Sequence, residues 1–249
     1  MQSRREFQAR LIGSAITFGL VEMLWTRDLF AEPVKPTIDL WFRELVQMSK
    51  DLRGRKLTDV EFQGKMEELY KRVDLKALCG LVKLDEIEKT KKLPDSGAAN
   101  VGFDLSKVEG LPANVGFGKQ VFGCKKGKSI VPHGHANMCT GFIILKGKWH
   151  GRHYDRLESH ADHYIIKPTI DRHFEPGDLS TISDHKDNIH WFKSESDAAY
   201  IFNVHVIGYD PAIKDASGRL YLDVEGEKLA GGLVKAPKMS SAACHKKFG

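Results

Sequence analysis

Beyond about residue 98, short runs of β-branched and aromatic residues alternate with turns rich in glycine, aspartate and proline. Several short strands at regular spacing are typical of an all-β barrel or jelly roll. The clearest runs lie at 121–122, 129–131, 141–145, 149–154, 164–166 and 200–207. The sequence therefore predicts a mainly β fold whose barrel occupies residues 98–210.

The residues before this barrel show helical spacing instead. Apolar side chains such as Trp41 and Leu45 recur at intervals of three or four positions, which predicts an amphipathic helix. Thr58 and Glu61 have the spacing of a capping box, in which each side chain satisfies the other's backbone amide. A third helical segment is predicted over 75–89.

These patterns divide the 249 residues into four parts, a length that suits one large or two small domains. We expect an export signal at 1–31, a helical extension at 32–97, the barrel at 98–210, and a C-terminal tail at 211–249 that packs on the barrel.

The N-terminus resembles a twin-arginine export signal. Arg4 and Arg5 precede a moderately apolar run at 11–21. We therefore expect export to the periplasm. Because Glu22 interrupts the apolar region, an ordinary N-terminal amphipathic helix in a cytoplasmic protein is the alternative. The run is shorter than the roughly 20 apolar residues that a spanning helix needs, so no stable membrane span is expected.

The overall charge and the cysteines exclude several classes of site. The net charge is +5 and the lysines are scattered, which does not indicate a nucleic-acid partner. The four cysteines have no CxxC spacing, so they indicate neither a zinc ribbon nor a thioredoxin-like motif.

The amphipathic helices before the barrel are expected to cap it. A surface for a homodimer is a second expected use of these helices.

The histidines are concentrated in the β half, because all 11 lie at or after residue 133. His133 and His135 are two positions apart on a predicted strand, so their side chains point to the same face. His190, on a distant strand, would complete three imidazoles around one metal and leave coordination positions open. Imidazole suits iron, copper, nickel and zinc, so geometry and metal supply decide among them.

The spacing around these histidines resembles a known superfamily. Gly127, the His133–His135 pair, Thr140 and Gly147 reproduce the spacing of the first cupin motif. Most metal-binding cupins have a glutamate ligand where this chain has Thr140. The run from His133 to Met138 and the segment around His190 are similar to the plant cysteine oxidase and cysteamine dioxygenase group, in which three neutral histidines hold Fe(II).

This resemblance implies a double-stranded β-helix barrel and an Fe(II) dioxygenase that oxidises a small thiol with O₂. It implies catalytic or outer positions for Asn203 and Tyr209, which fall near a family aspartate and a tyrosine close to the iron. His205 shares a strand face with Asn203 and is a further pocket candidate. Asp184 and Asp187, like Asn203, are candidate acceptors for the second nitrogen of a ligand histidine.

Two other functions remain open for the chain at this point. The first is a cupin oxygenase or isomerase that uses iron, manganese or nickel on a substrate without a thiol. The second is a non-catalytic periplasmic protein that binds a metal or a small ligand. Copper and zinc are alternative metals for the same three histidines.

Several other residues allow two interpretations of their role. The remaining histidines before His190 are more often structural or surface residues than ligands. Arg152 and Tyr154 would hold an anionic substrate group or lie on a solvated face. Cys139 packs in the core or forms a cross-link with a tyrosine, of which packing is the simpler expectation. The histidines concerned are His150, His153, His160, His163, His173 and His185.

Overall fold

A computed structural model describes residues 35–214 and 217–249, so the predicted signal at 1–31 lies outside the described residues. The helices are α1 (Ile38–Arg53), α2 (Asp59–Lys71), α3 (Leu75–Leu81), α4 (Leu84–Thr90) and α5 (Ser241–Phe248), with a short 3₁₀ helix at Ala230–Gly232. The strands are β1 (Ala99–Val101), β2 (Gly118–Cys124), β3 (Ser129–Ala136), β4 (Met138–Lys146), β5 (Trp149–Ser159), β6 (His163–Phe174), β7 (Leu179–Ile182), β8 (Ile189–Ser194), β9 (Ala199–Ile207), β10 (Ser217–Tyr221), β11 (Glu227–Lys228) and β12 (Val234–Pro237).

Four of the five described α-helices begin at a residue whose side chain caps them, and α4 is the exception. Thr58 accepts from the Glu61 amide and its own amide donates to the Glu61 carboxylate, so the predicted capping box is confirmed. The single helix predicted over 75–89 is wrong. Lys83 adopts a left-handed conformation with φ of 54°, which interrupts the helical backbone and separates α3 from α4.

The strands form two antiparallel sheets. One has the order β1-β2-β9-β4-β7 and the other the order β10-β3-β8-β5-β6-β12-β11. Strands β2 to β9 supply four strands to each sheet, and the chain crosses between the sheets at every step except the β5–β6 hairpin. This is the double-stranded β-helix topology, and the predicted mainly β fold with a helical N-terminal segment is confirmed.

Helices α1 and α2 cover the outer face of the five-stranded sheet. Along β9, Phe202, Val204 and Val206 pack with the helical core residues, whereas the alternating Ile201 packs inside the barrel. Gly141 permits this close approach, because a Cβ there would overlap Met66 Sδ. The strand alternation therefore places the Asn203 and His205 side chains inside the barrel, on the face of β9 opposite the helices.

The C-terminal residues extend the seven-stranded sheet at both edges. Strand β10 pairs with β3, and β12 pairs with β6. Helix α5 lies over the outer face of this sheet, where Phe248 packs edge-on against Trp191 with 5.1 Å between ring centroids. Residues 36–249 form one compact unit. Across the described ranges, we find no helix with both the length and the apolar character needed to cross a membrane.

Candidate metal centre

Strands β3 and β8 bring the three predicted ligands together. His133 pairs directly with His190 across the two strands, and His135 follows on the same face of β3. One ring nitrogen from each residue lies within 4.8 Å of the others. Within the described residues, this is the one group of histidine, cysteine or acidic side chains close enough to hold a metal ion.

The three rings are buried and uncharged. His133, His135 and His190 are at most 3% exposed. Burial lowers the pKa of His135 to about 3 and holds the pKa values of His133 and His190 well below the usual range. Neutral imidazole is the form that donates a lone pair to a metal, so burial prepares the ligands for binding.

The hydrogen bonds of the rings also fit a metal ion. His133 Nδ1 lies 2.7 Å from the carbonyl oxygen of Val131, an arrangement that leaves Nε2 as the metal-binding atom. The Nδ1 atoms of His135 and His190 are buried without a hydrogen-bond partner. Because buried polar atoms rarely remain unpaired, a site built around these rings suits a bound cation.

Asn188 fixes the position of His135. Its side-chain Oδ1 accepts from the His135 amide at 3.2 Å, and its Nδ2 donates to the His135 carbonyl oxygen at 3.1 Å. Gly134 makes room for this contact, since a Cβ at Gly134 would lie 2.6 Å from Asn188 Oδ1. The glycine between the two histidines is therefore a packing requirement for the Asn188 side chain.

Thr140 supplies no charge to the centre. Its hydroxyl donates to the Val204 carbonyl oxygen at 2.8 Å and accepts from Asn203 Nδ2 at 2.6 Å. Asn203 Oδ1 in turn accepts from Gln120 Nε2 and lies 3.3 Å from His205 Nδ1. A neutral hydrogen-bonded chain thus links side chains of β4, β9 and β2.

A cavity of about 490 Å³ opens beside the three histidines. Its wall combines apolar side chains with polar groups that converge on it, as is common in small-molecule sites. The predicted residues Asn203 and His205 both line it. The full lining is Gln120, Phe122, Ile130, His133, His135, Met138, Thr140, Phe142, His190, Asn203, His205, Ile207, Gly218, Arg219 and Tyr221.

Arg219 and Tyr221 are pocket residues that the sequence reasoning missed. Both lie on β10, in the segment assigned to a tail, and both line the cavity. The alternation of Arg219, Leu220 and Tyr221 was the available signal, because it places the two polar residues on one strand face. The pairing of β10 with β3 carries that face to the histidines.

Tyr209 lies away from the cavity lining. Its hydroxyl donates to Asp184 Oδ2 at 3.0 Å, and its ring packs beside the helical core. Asp184 also accepts from the Met138 amide, and Asp187 accepts a long hydrogen bond from Gln63. Among the described contacts, neither the Asp184 nor the Asp187 carboxylate is bonded to a ligand histidine. The catalytic role of Tyr209 stays a prediction.

The other histidines are distributed between surface and core. His153 is fully buried on β5, its Nε2 lies 2.9 Å from Ser180 Oγ, and its ring centroid lies 6.2 Å from that of His190. Five others contact acidic side chains on or near the surface. These contacts join His150 to Asp171, His160 to Glu158, His163 to Asp162, His173 to Glu195, and His185 to Asp59.

Arg152, Tyr154 and Cys139 lie on faces that point away from the cavity. Arg152 stacks over the Trp191 ring, and Tyr154 packs in the same outer core cluster. Cys139 is buried in the core beneath the helices, which agrees with the packing interpretation. All four cysteines are free thiols, and burial raises the pKa of Cys124 to about 12.

Comparisons with known proteins were made at three levels. No protein-family model matches the sequence, and the search of curated proteins found no match. Solved structures do match. Procruciferin, an 11S globulin from Brassica napus, is 10% identical with a TM-score of 0.29, over 37% of this chain and 21% of that one. A cupin superfamily protein from Desulfitobacterium hafniense is 13% identical with a TM-score of 0.31, over 47% and 83%.

A recombinant oxalate oxidase in complex with glycolate is 17% identical with a TM-score of 0.36, over 53% of this chain and 62% of that one. This chain therefore spans about a fifth of the globulin and under two thirds of the oxidase. The matched proteins include enzymes and seed globulins alike, so they carry no argument about activity.

Proposed function

We propose that this protein is an Fe(II) dioxygenase that oxidises a small thiol with O₂. The observation that carries the proposal is the donor set: three neutral, buried imidazoles on one wall of a cavity, with no acidic side chain in its lining. A set without a carboxylate leaves both positive charges of a divalent cation unbalanced by the protein. A thiolate would bind directly to the metal and neutralise one of them.

Each residue has a defined task in this proposal. His133, His135 and His190 would hold the metal beside the cavity. Asn188 holds the His135 backbone, and Gly134 gives it room. When bound, iron supplies a Lewis acid that lowers the pKa of a coordinated thiol and a redox centre that can react with O₂.

His205 is the candidate acceptor for the proton that the thiol loses. Burial lowers the pKa of His205, so the ring is neutral near pH 7. If Nδ1–H donates to Asn203 Oδ1, the lone pair lies on Nε2 and can take a proton. Asn203 is a positioning residue in this arrangement, because Gln120 and Thr140 fix its own amide.

The overall reaction balances without a further reductant. A thiol and one O₂ give a sulfinic acid, and both oxygen atoms end on sulfur. Sulfur loses four electrons and O₂ gains the same four. The apolar part of the wall around the centre is formed by Phe122, Phe142 and Ile130. These side chains limit the access of bulk water during the reaction.

The test is oxygen consumption by the iron-loaded full chain. Cysteine, cysteamine, 3-mercaptopropionate and peptides with an N-terminal cysteine are the substrates, with sulfinate measured as the product. We expect turnover with at least one of them and its loss in His190→Ala. His173→Ala, on the exposed end of β6, is the matched control and retains activity. No oxygen uptake with any thiol would contradict the proposal.

A further inference from the structure

The charge in the cavity comes from one side chain. Among the described residues that line it, Arg219 alone carries a formal charge, and none is aspartate or glutamate. Arg219 is exposed at the mouth of the cavity. A divalent cation on three neutral imidazoles would add two further positive charges, so the cavity attracts anions strongly.

The position of Arg219 follows from the strand register. Leu220 pairs with Gly134 and Tyr221 with His133, so β10 runs directly beside the ligand pair on β3. Leu220 packs with the outer core cluster, whereas Arg219 and Tyr221 both line the cavity. The Arg219 guanidinium lies 5.8 Å from the centre of the Phe122 ring on β2, which places it across the opening between the two sheets.

Arg219 presents its charge to a cavity whose other polar side chains are neutral. A guanidinium in such surroundings favours a bound anion. Gln120 and Tyr221 add neutral hydrogen-bonding groups beside it.

We propose that Arg219 forms an anion subsite at the mouth of the cavity, and that the substrate carries a carboxylate in addition to the group that binds the metal. The inference rests on the proposed function for the metal-binding end of the substrate. A planar guanidinium matches a carboxylate through two parallel hydrogen bonds. The substrate class is then a short thiol carboxylate that bridges the three histidines and Arg219.

The test compares two thiols that differ in this one group. 3-Mercaptopropionate and 3-mercaptopropan-1-ol are titrated calorimetrically into the metal-loaded full chain without O₂. We expect the wild type to bind the acid about tenfold or more tightly than the alcohol, as suits a charge-assisted pair. Arg219→Gln removes this preference and leaves affinity for the alcohol unchanged, and Arg219→Lys retains part of it.

Arg72→Gln is the matched control, because Arg72 pairs with Glu44 on the helices and lies outside the cavity lining. Metal content and circular dichroism establish that each variant is folded and loaded. Should Arg219→Gln fail to fold, the reduced preference expected of Arg219→Lys decides the question. An absent preference in the wild type, or one that survives Arg219→Gln, overturns the subsite.

This readout is separate from the proposed oxidation. If the preference for the acid depends on Arg219 but no oxygen is consumed, the anion subsite is supported and the dioxygenase activity is contradicted. If oxygen uptake is equal for the acid and the alcohol in both the wild type and Arg219→Gln, the subsite is contradicted and the dioxygenase activity is supported.

Discussion

Gly134 and Asn188 illustrate how a single residue controls the centre without binding the metal. A methyl group at Gly134 would lie 2.6 Å from Asn188 Oδ1 and 3.1 Å from Ile189 Cγ1. Asn188 would have to release at least one of its two bonds to the His135 backbone. His135 would then lose its fixed position relative to His133 and His190.

We therefore expect Gly134→Ala to weaken metal binding by roughly 10- to 100-fold, in line with the loss of other groups that orient ligands. Equilibrium competition with a chelator measures the affinity. Gly64→Ala is the control, because a Cβ at this exposed helical position meets nothing within 4 Å. Equal metal affinity in Gly134→Ala and the wild type would show that Asn188 has no orienting role.

The buried histidines also make the metal-free protein sensitive to acid. Burial lowers the pKa of His153 from 6.5 to about 3. Below pH 6.5 the unfolded chain binds a proton that the folded chain does not. Stability is therefore complete above pH 6.5 and declines between pH 6.5 and about 3, by roughly 1.4 kcal/mol per pH unit for a histidine of this kind.

His153→Gln tests this dependence at one position. We expect the free energy of unfolding, measured by urea titration from pH 7 to pH 4, to fall less steeply with acid than in the wild type. The exposed His173 provides the control variant, His173→Gln. A wild-type slope in His153→Gln would contradict the assignment of His153 as a neutral core residue.

At the scale of elements, strand alternation made the ligand set predictable. The i and i+2 spacing of His133 and His135 fixes a shared face wherever the strand lies. The partner strand of β10 was not predictable in this way, because pairing across more than 80 residues depends on the assembled sheet. Arg219 was missed for that reason.

Local conformation limited the prediction of the helices. The apolar spacing over 75–89 continues through Lys83, and the left-handed turn there is visible only in the backbone. At the end of β9 the chain turns at Gly208, with φ of 64°, and the Tyr209 hydroxyl donates to Asp184. The catalytic role of Tyr209 that the resemblance implies stays a prediction.

The helical layer on the five-stranded sheet stabilises the wall that carries Thr140 and Asn203. Leu69 on α2 is fully buried in this layer. Leu69→Ala is expected to lower the free energy of unfolding by about 2–5 kcal/mol, through lost burial and a residual cavity. Leu40→Ala, at a position 49% exposed on α1, should change it by less than about 0.5 kcal/mol. Similar losses for both, in chemical denaturation, would argue against a shared core.

At the scale of the whole molecule, export remains a prediction from the N-terminal sequence. Arg4 and Arg5 lie outside the described residues. We expect Arg4→Lys with Arg5→Lys to retain the protein in the cytoplasm, because a twin-arginine pathway reads the arginine pair. Fractionation with antibodies locates the protein, and Arg10→Lys is the control. Unchanged fractionation of the double variant would favour the amphipathic-helix alternative.

The central claim is that three neutral histidines, without a carboxylate, hold one divalent metal beside the cavity. Elemental analysis of the protein purified from its native host, compared with His190→Ala, tests it most directly. We expect about one metal ion per chain in the wild type, its loss in His190→Ala, and no loss in His173→Ala. A wild-type protein without metal, or a His190→Ala variant with a full complement, would contradict it.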